Sequence, residues 1–196
     1  MNLPTKLTVF RIILSIIISI LLIFPFDAVG ISIPLIRAGI DIDIRYLIAG
    51  VIFIVASLTD FLDGYLARKN NQVTDLGKML DAIADKILVN PILIIFSSEG
   101  MISPIIPVVI IIRDIVVNSI KMEAASKGKV VSAIPSGKIK TASLMVGIML
   151  LFFYDVPFIY INIRVDLLLI YFATIMSFVS MIQYYLLNKK ILSEQN

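Results

Sequence analysis

Long apolar runs dominate the chain, and most polar residues fall between them. Six runs approach the length an α-helix needs to cross the hydrocarbon of a bilayer, roughly twenty residues. They cover residues 8–26, 45–65, 79–98, 103–125, 138–154 and 166–187. The pattern predicts an all-α integral membrane bundle of six transmembrane helices, built as a single membrane domain over residues 1–196. Asn2, Pro4 and Lys6 predict an N-terminal interfacial segment, a turn ahead of the first span. The first run is too long for a signal-peptide core and lacks a small-residue cleavage site before the next segment. It is therefore expected to be a retained span. Residues 31–40 (Ile-Ser-Ile-Pro-Leu-Ile-Arg-Ala-Gly-Ile) are too short to cross and are expected at the interface. No internal repeat and no low-complexity tail is visible.

Composition sharpens this picture. The chain is 59% hydrophobic with a mean hydropathy of +1.01, well above the apolar share of a water-soluble domain. Cysteine and histidine are both absent. That excludes a disulfide framework, a thiolate nucleophile, a Cys/His zinc site and a histidine general base. Acid–base chemistry falls to carboxylates, lysine, tyrosine or water.

The net charge of +3 matters less than where the charges sit. Thirteen basic residues cluster on one side of the expected membrane: Lys6, Arg11, Arg68, Lys69, Lys78, Lys86, Lys121, Lys127, Lys129, Lys138, Lys140, Lys189 and Lys190. Three, Arg37, Arg45 and Arg164, fall on the other, and Arg113 within a span completes the 17. The positive-inside rule then places both termini, the 66–78 loop and the 121–140 loop in the cytoplasm. The protein is expected in the cell membrane, multi-pass, with its active site on the cytoplasmic side.

Four acids stand out against this apolar background. Asp60 and Asp63 are three residues apart, and Asp81 and Asp85 four apart, so each pair shares a helix face. Both pairs lie at the cytoplasmic ends of the second and third spans. Four carboxylates at membrane depth cannot all remain ionised without cations. A hard divalent metal held by oxygen ligands, Mg²⁺ foremost, is the simplest resolution. Structural ion pairing, with Lys86 and Arg68 as partners, and a cation pathway lined by the acids are the alternatives. Gly64, Ala67 and Gly77 leave room for a ligand's close approach, and Arg68 offers a fork of donors suited to phosphate. Further on, Arg113 and Asp114 sit inside the fourth span, where charge is costly and usually functional. The run Ser136-Gly137-Lys138-Ile139-Lys140-Thr141 joins glycine to spaced lysines at a helix start, a plausible anion site.

The segment Asp60-Phe-Leu-Asp63-Gly64-Tyr-Leu-Ala67-Arg68, followed at set spacing by Gly77, Asp81 and Asp85, resembles the signature of the CDP-alcohol phosphotransferase family, D-x2-D-G-x2-A-R-x8-G-x3-D-x3-D. Every fixed position is matched. Chance agreement at average residue usage is on the order of once in 10⁹–10¹⁰ starting points. The resemblance implies an integral membrane enzyme that moves a substituted phosphoryl group from a CDP-linked donor to an alcohol and releases CMP. It implies that Asp60, Asp63, Asp81 and Asp85 bind two divalent ions, Mg²⁺ or Mn²⁺. By the same resemblance Asp85 deprotonates the attacking hydroxyl, and Asp60, Gly64, Ala67, Arg68 and Gly77 form the CDP site.

Within the family the chain is most similar to the phosphatidylglycerophosphate synthase branch. That branch shows Arg-Glu, a later Arg, a Gly-x-Val-Val-like stretch and Gly-Lys-x-Lys-Thr. Here these read Arg113-Asp114, Lys121, Gly128-Lys129-Val130-Val131 and Gly137-Lys138-Ile139-Lys140-Thr141. The opening Asn2-Leu3-Pro4-Thr5-Lys6-Leu7-Thr8-Val9-Phe10-Arg11 is similar to N-x-P-x-x-L-T-x-x-R. Asp114 replaces the usual Glu, Lys121 the usual Arg, and Ala82 the usual Pro after Asp81. The branch implies CDP-diacylglycerol as donor and sn-glycerol 3-phosphate as acceptor. Arg113, Lys138 and Lys140 would hold the acceptor's phosphate, with Thr8 and Arg11 as helpers. It also implies a membrane-embedded homodimer and no nucleic-acid partner. The same donor chemistry with inositol phosphate, serine or phosphatidylglycerol as acceptor stays open, and so does a cation transporter built on the acidic cluster.

Overall fold

The computed structural model describes residues 2–31, 33–37, 41–69, 75–129 and 131–193. Six α-helices carry the architecture: α1 Leu3–Ile23, α2 Ile44–Lys69, α3 Asp75–Ser98, α4 Ile105–Ser126, α5 Pro135–Phe152 and α6 Val165–Ser193. A short antiparallel ribbon, β1 Leu35–Arg37 with β2 Asp41–Asp43, joins α1 to α2, and pairs Ile36 with Ile42. The six expected helices are all found, with ends displaced by a few residues.

Most boundaries have a local cause. Asn2 caps α1: its side-chain oxygen accepts from the Thr5 backbone N–H at 3.2 Å, and Pro4 takes a first-turn position where a missing N–H costs nothing. Residues 3–7, expected as a separate interfacial turn, are therefore the first turn of α1 itself. Asp43 accepts from the Arg45 N–H at 2.8 Å and starts α2. Buried Asp155 accepts from the N–H groups of Val165 at 2.9 Å and Asp166 at 3.1 Å, and starts α6. The segment expected at the interface, 31–40, holds β1, while Ser32 and residues 38–40 lie outside the described part.

The helices associate as two groups of three. In the first, α1 packs against both α2 and α3; in the second, α6 packs against both α4 and α5. Contacts of α2 with α5 and of α3 with α4 join the groups. The shared core includes Ile18, Phe53, Leu93, Phe96, Ile110, Ile148 and Phe152. Phe96 and Phe152 meet edge to face with ring centroids 4.8 Å apart. Small residues let backbones approach, as expected where lipid supplies no hydrophobic drive between helices. At Gly147 of α5 a Cβ would come within 2.7 Å of Ile170 in α6.

The outward faces are strongly apolar. Ile16, Ile20, Val51, Val55, Ile94, Ile112, Leu168, Phe172 and Ile175 are all exposed, a surface suited to lipid rather than water. Among the described residues three helical stretches are long and apolar enough to cross a membrane: Leu3–Ile23, Ile44–Gly64 and Val165–Lys189. The other three helices carry charged residues within their apolar stretches. Asp81, Asp85 and Lys86 lie in α3, Arg113 and Asp114 in α4, Lys138 and Lys140 in α5. Most of these are the residues singled out for chemistry.

Candidate active site

The first charged centre is assembled by the first helix group. A helical turn aligns Asp60 with Asp63 on α2, and another aligns Asp81 with Asp85 on α3. Asp60, Asp63 and Asp81 each offer a carboxylate oxygen, all within 4.8 Å of one another. Asp63 is buried, with 6% of its side chain exposed, while Asp60 and Asp81 stay open at 44% and 53%. The centre thus has a closed floor and an accessible mouth.

A buried polar stripe on α1 forms its back wall. Thr5, Thr8, Arg11 and Ser15 recur at helical spacing on one face and are each no more than 3% exposed. Arg11 reaches all three aspartates. Its Nη1 lies 2.5 Å from Asp60 and 3.1 Å from Asp81, and its Nη2 donates to Asp63. The Thr8 hydroxyl lies 3.1 Å from Asp63 Oδ2 and equally far from the Pro4 carbonyl. The Arg11 Nε is buried without an acceptor among the described residues. Thr8 and Arg11, expected beside the acceptor phosphate, are thus grouped with the aspartates. The signal was present in the chain: polar residues at three- and four-residue steps in an otherwise apolar run.

The donor set suits a hard divalent cation. Three carboxylates carry three negative charges, and Arg11 returns one positive, leaving a net charge of −2 over a few ångströms. Oxygen-only ligation at this spacing is the chemistry of a hard divalent cation.

Asp85 lies one turn deeper on α3 and is half-buried, with no hydrogen bond or ion pair among the described residues. The charges that act on it are Lys140 first, then Asp60, Asp114 and Asp81. Charges of the aspartate cluster and of a second charged centre therefore both reach it. Gly64 is half-buried on α2 and Gly77 lies in the first turn of α3. Ala67 and Arg68 belong to the last turns of α2, and their side chains lie outside the described part.

The second centre belongs to the other helix group. Asp114 accepts from Arg113 Nη1 at 2.9 Å and from Lys140 Nζ at 3.2 Å. Lys140 is 5% exposed. Its neighbour two positions earlier, Lys138, points to the exposed side of α5. The structure therefore brings Arg113 and Lys140 together and leaves Lys138 apart. Gly137 explains itself here: a Cβ would meet Arg113 Nη2 at 3.1 Å.

Residues of α6, unremarked in the sequence, complete this centre. Ser180 accepts from Arg113 Nε at 3.0 Å, and the Tyr184 ring lies 5.7 Å from the Arg113 guanidinium. No local pattern in an apolar helix marks such residues, because their partners are some seventy positions away.

The CDP-alcohol phosphatidyltransferase family model matches residues 1–186. A Bacillus subtilis (strain 168) protein named CDP-diacylglycerol–glycerol-3-phosphate 3-phosphatidyltransferase is 35% identical over 195 residues, covering 100% of this chain and 99% of that one. A protein of the same name from Wigglesworthia glossinidia brevipalpis is 35% identical over 189 residues, 94% of this chain and 93% of its own. Another, from Mycoplasma genitalium, is 41% identical over 110 residues, 56% of this chain and 47% of its own. With the full aspartate signature placed on two facing helices and the match extending over nearly its whole length, this chain belongs to the CDP-alcohol phosphatidyltransferase family.

Proposed function

We propose that the protein transfers a phosphatidyl group from CDP-diacylglycerol to sn-glycerol 3-phosphate, giving phosphatidylglycerophosphate and CMP. The observation that carries this reading is the position of Asp85. It is reached by the charges of both an acidic cluster fit for a metal-bound pyrophosphate and a basic pair fit for a phosphorylated acceptor. Full-length similarity to proteins named for this reaction supports the choice of acceptor.

Asp60, Asp63 and Asp81, with Asp85 at the edge, would hold two divalent ions, Mg²⁺ or Mn²⁺. Bound there, such ions neutralise the pyrophosphate and make CMP a better leaving group. By the family resemblance, Gly64, Ala67, Arg68 and Gly77 would serve the cytidine and phosphate approach. On the acceptor side Arg113 and Lys140 hold the glycerol 3-phosphate dianion, and Lys138 draws it in from the exposed rim. Asp85 takes the proton from the attacking hydroxyl. The new bond joins that oxygen to the phosphorus bearing diacylglycerol, and the bond from this phosphorus to the CMP oxygen breaks. Thr8 and Arg11 shape the aspartate cluster and serve the donor side.

The chain forms one multi-pass domain in the cell membrane. All six helices span it, α3, α4 and α5 keeping their charged residues turned to the site. The thirteen-to-three distribution of basic residues supports a site on the cytoplasmic face, open to water-soluble CMP and glycerol 3-phosphate. The working form is a homodimer, as is common in the family.

The test is to supply purified protein with CDP-diacylglycerol and Mg²⁺ and to offer glycerol 3-phosphate, serine, inositol phosphate and phosphatidylglycerol in turn. Phosphatidylglycerophosphate is the expected lipid. A preference for serine, inositol phosphate or phosphatidylglycerol would refute the acceptor while leaving the donor chemistry standing.

A further inference from the structure

Arg113 and Lys140 come from different helices, and neither helix fixes them alone. The structure points to α6 as the frame that does. Ser180 is fully buried, and its hydroxyl donates to the Ser177 carbonyl at 2.9 Å. The proton is thereby committed within α6, and a lone pair is left to accept from Arg113 Nε at 3.0 Å. One turn on, Tyr184 is 3% exposed and packs with Val117 and Ile120 of α4. Its ring centroid lies 5.7 Å from the Arg113 guanidinium and 5.6 Å from Lys121 Nζ. Its hydroxyl accepts from the Ile134 N–H at 3.2 Å, at the residue that starts α5. Gln183 adds a second tie to the same turn, accepting from the Ser136 hydroxyl at 2.6 Å.

These contacts do different jobs. Ser180 takes the Nε of Arg113, and Asp114 accepts from its Nη1. The guanidinium plane is thus fixed from two sides. The Tyr184 ring restrains the cation electrostatically. The Tyr184 hydroxyl and Gln183 hold the first turn of α5, which sets where Lys140 emerges. Few of these atoms need be near a substrate for the effect to reach one.

We propose that Ser180 and Tyr184 are positioning residues for the acceptor: they hold Arg113 and the start of α5 so that Arg113 and Lys140 present one preformed anion-binding pair. The proposal rests on the reading that this pair binds the glycerol 3-phosphate phosphate. It assigns acceptor affinity to a helix that carries none of the family's signature.

The test is a two-substrate titration of the full-length protein and its Ser180→Ala, Tyr184→Phe, Tyr184→Leu and Arg113→Ala variants. Ser180→Ala should raise KM for glycerol 3-phosphate about tenfold, the worth of one hydrogen bond to a charged group. Tyr184→Leu should raise it at least about fivefold, and Tyr184→Phe, which keeps the ring, by less. KM for CDP-diacylglycerol should stay at the parent value in each. Adding Ser180→Ala to Arg113→Ala should change acceptor KM no further, because the group Ser180 positions is gone, whereas adding Tyr184→Leu should still raise it through the start of α5 and Lys140.

A merely structural role would lower the yield of active protein or shift both substrates alike. The proposal is overturned if Ser180→Ala and Tyr184→Phe keep the parent's acceptor KM, or if KM rises equally for both substrates. If Tyr184→Leu does not fold, Ser180→Ala, which removes a single oxygen, decides. If Arg113→Ala raises acceptor KM while the α6 variants do not, only the positioning role fails. If Arg113→Ala leaves acceptor KM unchanged, the acceptor reading itself fails.

Discussion

Replacing Arg11 by methionine keeps most of its length and removes the positive charge that faces three aspartates. The side chain is 1% exposed. Its contacts are unequal in worth. Asp60 and Asp81 are 44% and 53% exposed, so water screens their pairing and each contributes at most about 1 kcal/mol. Asp63 is 6% exposed and cannot turn to solvent. Breaking a buried pair costs roughly 3–5 kcal/mol, and one buried partner among three places this loss near the low end, about 3 kcal/mol. For a chain of this size that corresponds to a fall in Tm of roughly 6–12 °C. A divalent cation would supply the missing charge. Held at a hundred times the variant's Kd, it stabilises the folded variant by about 2.7 kcal/mol, and the parent by less, because Arg11 already engages the same carboxylates. The expected result is therefore conditional: Arg11→Met loses roughly 6–12 °C in EDTA and less than half of that in saturating Mg²⁺. Thermal unfolding of both proteins in the same detergent, with and without Mg²⁺, measures it. An equal loss in the two conditions would refute the idea that Arg11 and the cation serve the same carboxylates. No loss in either would show that Arg11 carries no part of the cluster's neutralisation.

Further outcomes concern the acceptor and the topology. Lys140→Ala removes a buried cation and should raise KM for glycerol 3-phosphate about ten- to a hundredfold. The exposed Lys138→Ala should raise it no more than about fivefold; steady-state titration separates the two, and the reverse order would contradict the placement of Lys140. The chain contains no cysteine. Lys127→Cys therefore reports the connection between α4 and α5 cleanly: an impermeant thiol reagent should label it in opened membranes and leave it unlabelled in intact cells. Labelling from outside would put the charged face on the wrong side.

Much of this arrangement was legible in the chain. The spacing of Asp60 with Asp63 and of Asp81 with Asp85 already put each pair on one face of its helix, and the structure brings together oxygens of Asp60, Asp63 and Asp81, with Asp85 one turn beyond them. The six helices follow from the apolar runs, because length and composition are local properties. Arg11 was only half legible. Its place in a polar stripe on α1 was visible, but the identity of its partners depends on how α1 packs between α2 and α3. Lys138 and Lys140 looked equivalent in sequence. Two residues are 200° apart around a helix, so one turned inward to Asp114 and the other to the rim. Ser180 and Tyr184 were not legible at all. Serine and tyrosine in an apolar span are ordinary, and only the approach of α6 to α4 gives them Arg113 as a partner. The membrane composition of α3, α4 and α5 was blurred by the charges that the site itself requires.

The most direct measurement follows both products of one reaction. Purified protein is given CDP-diacylglycerol, glycerol 3-phosphate and Mg²⁺, and CMP and lipid are quantified together over time. CMP and phosphatidylglycerophosphate should appear one for one, only with both substrates present, and cease in excess EDTA. Asp60→Asn, Asp63→Asn, Asp81→Asn and Asp85→Asn should each lose most of that turnover while remaining folded in the membrane. Full turnover in EDTA with no metal carried through purification, or a folded Asp85→Asn protein as active as the parent, would contradict metal-dependent phosphatidyl transfer at this site.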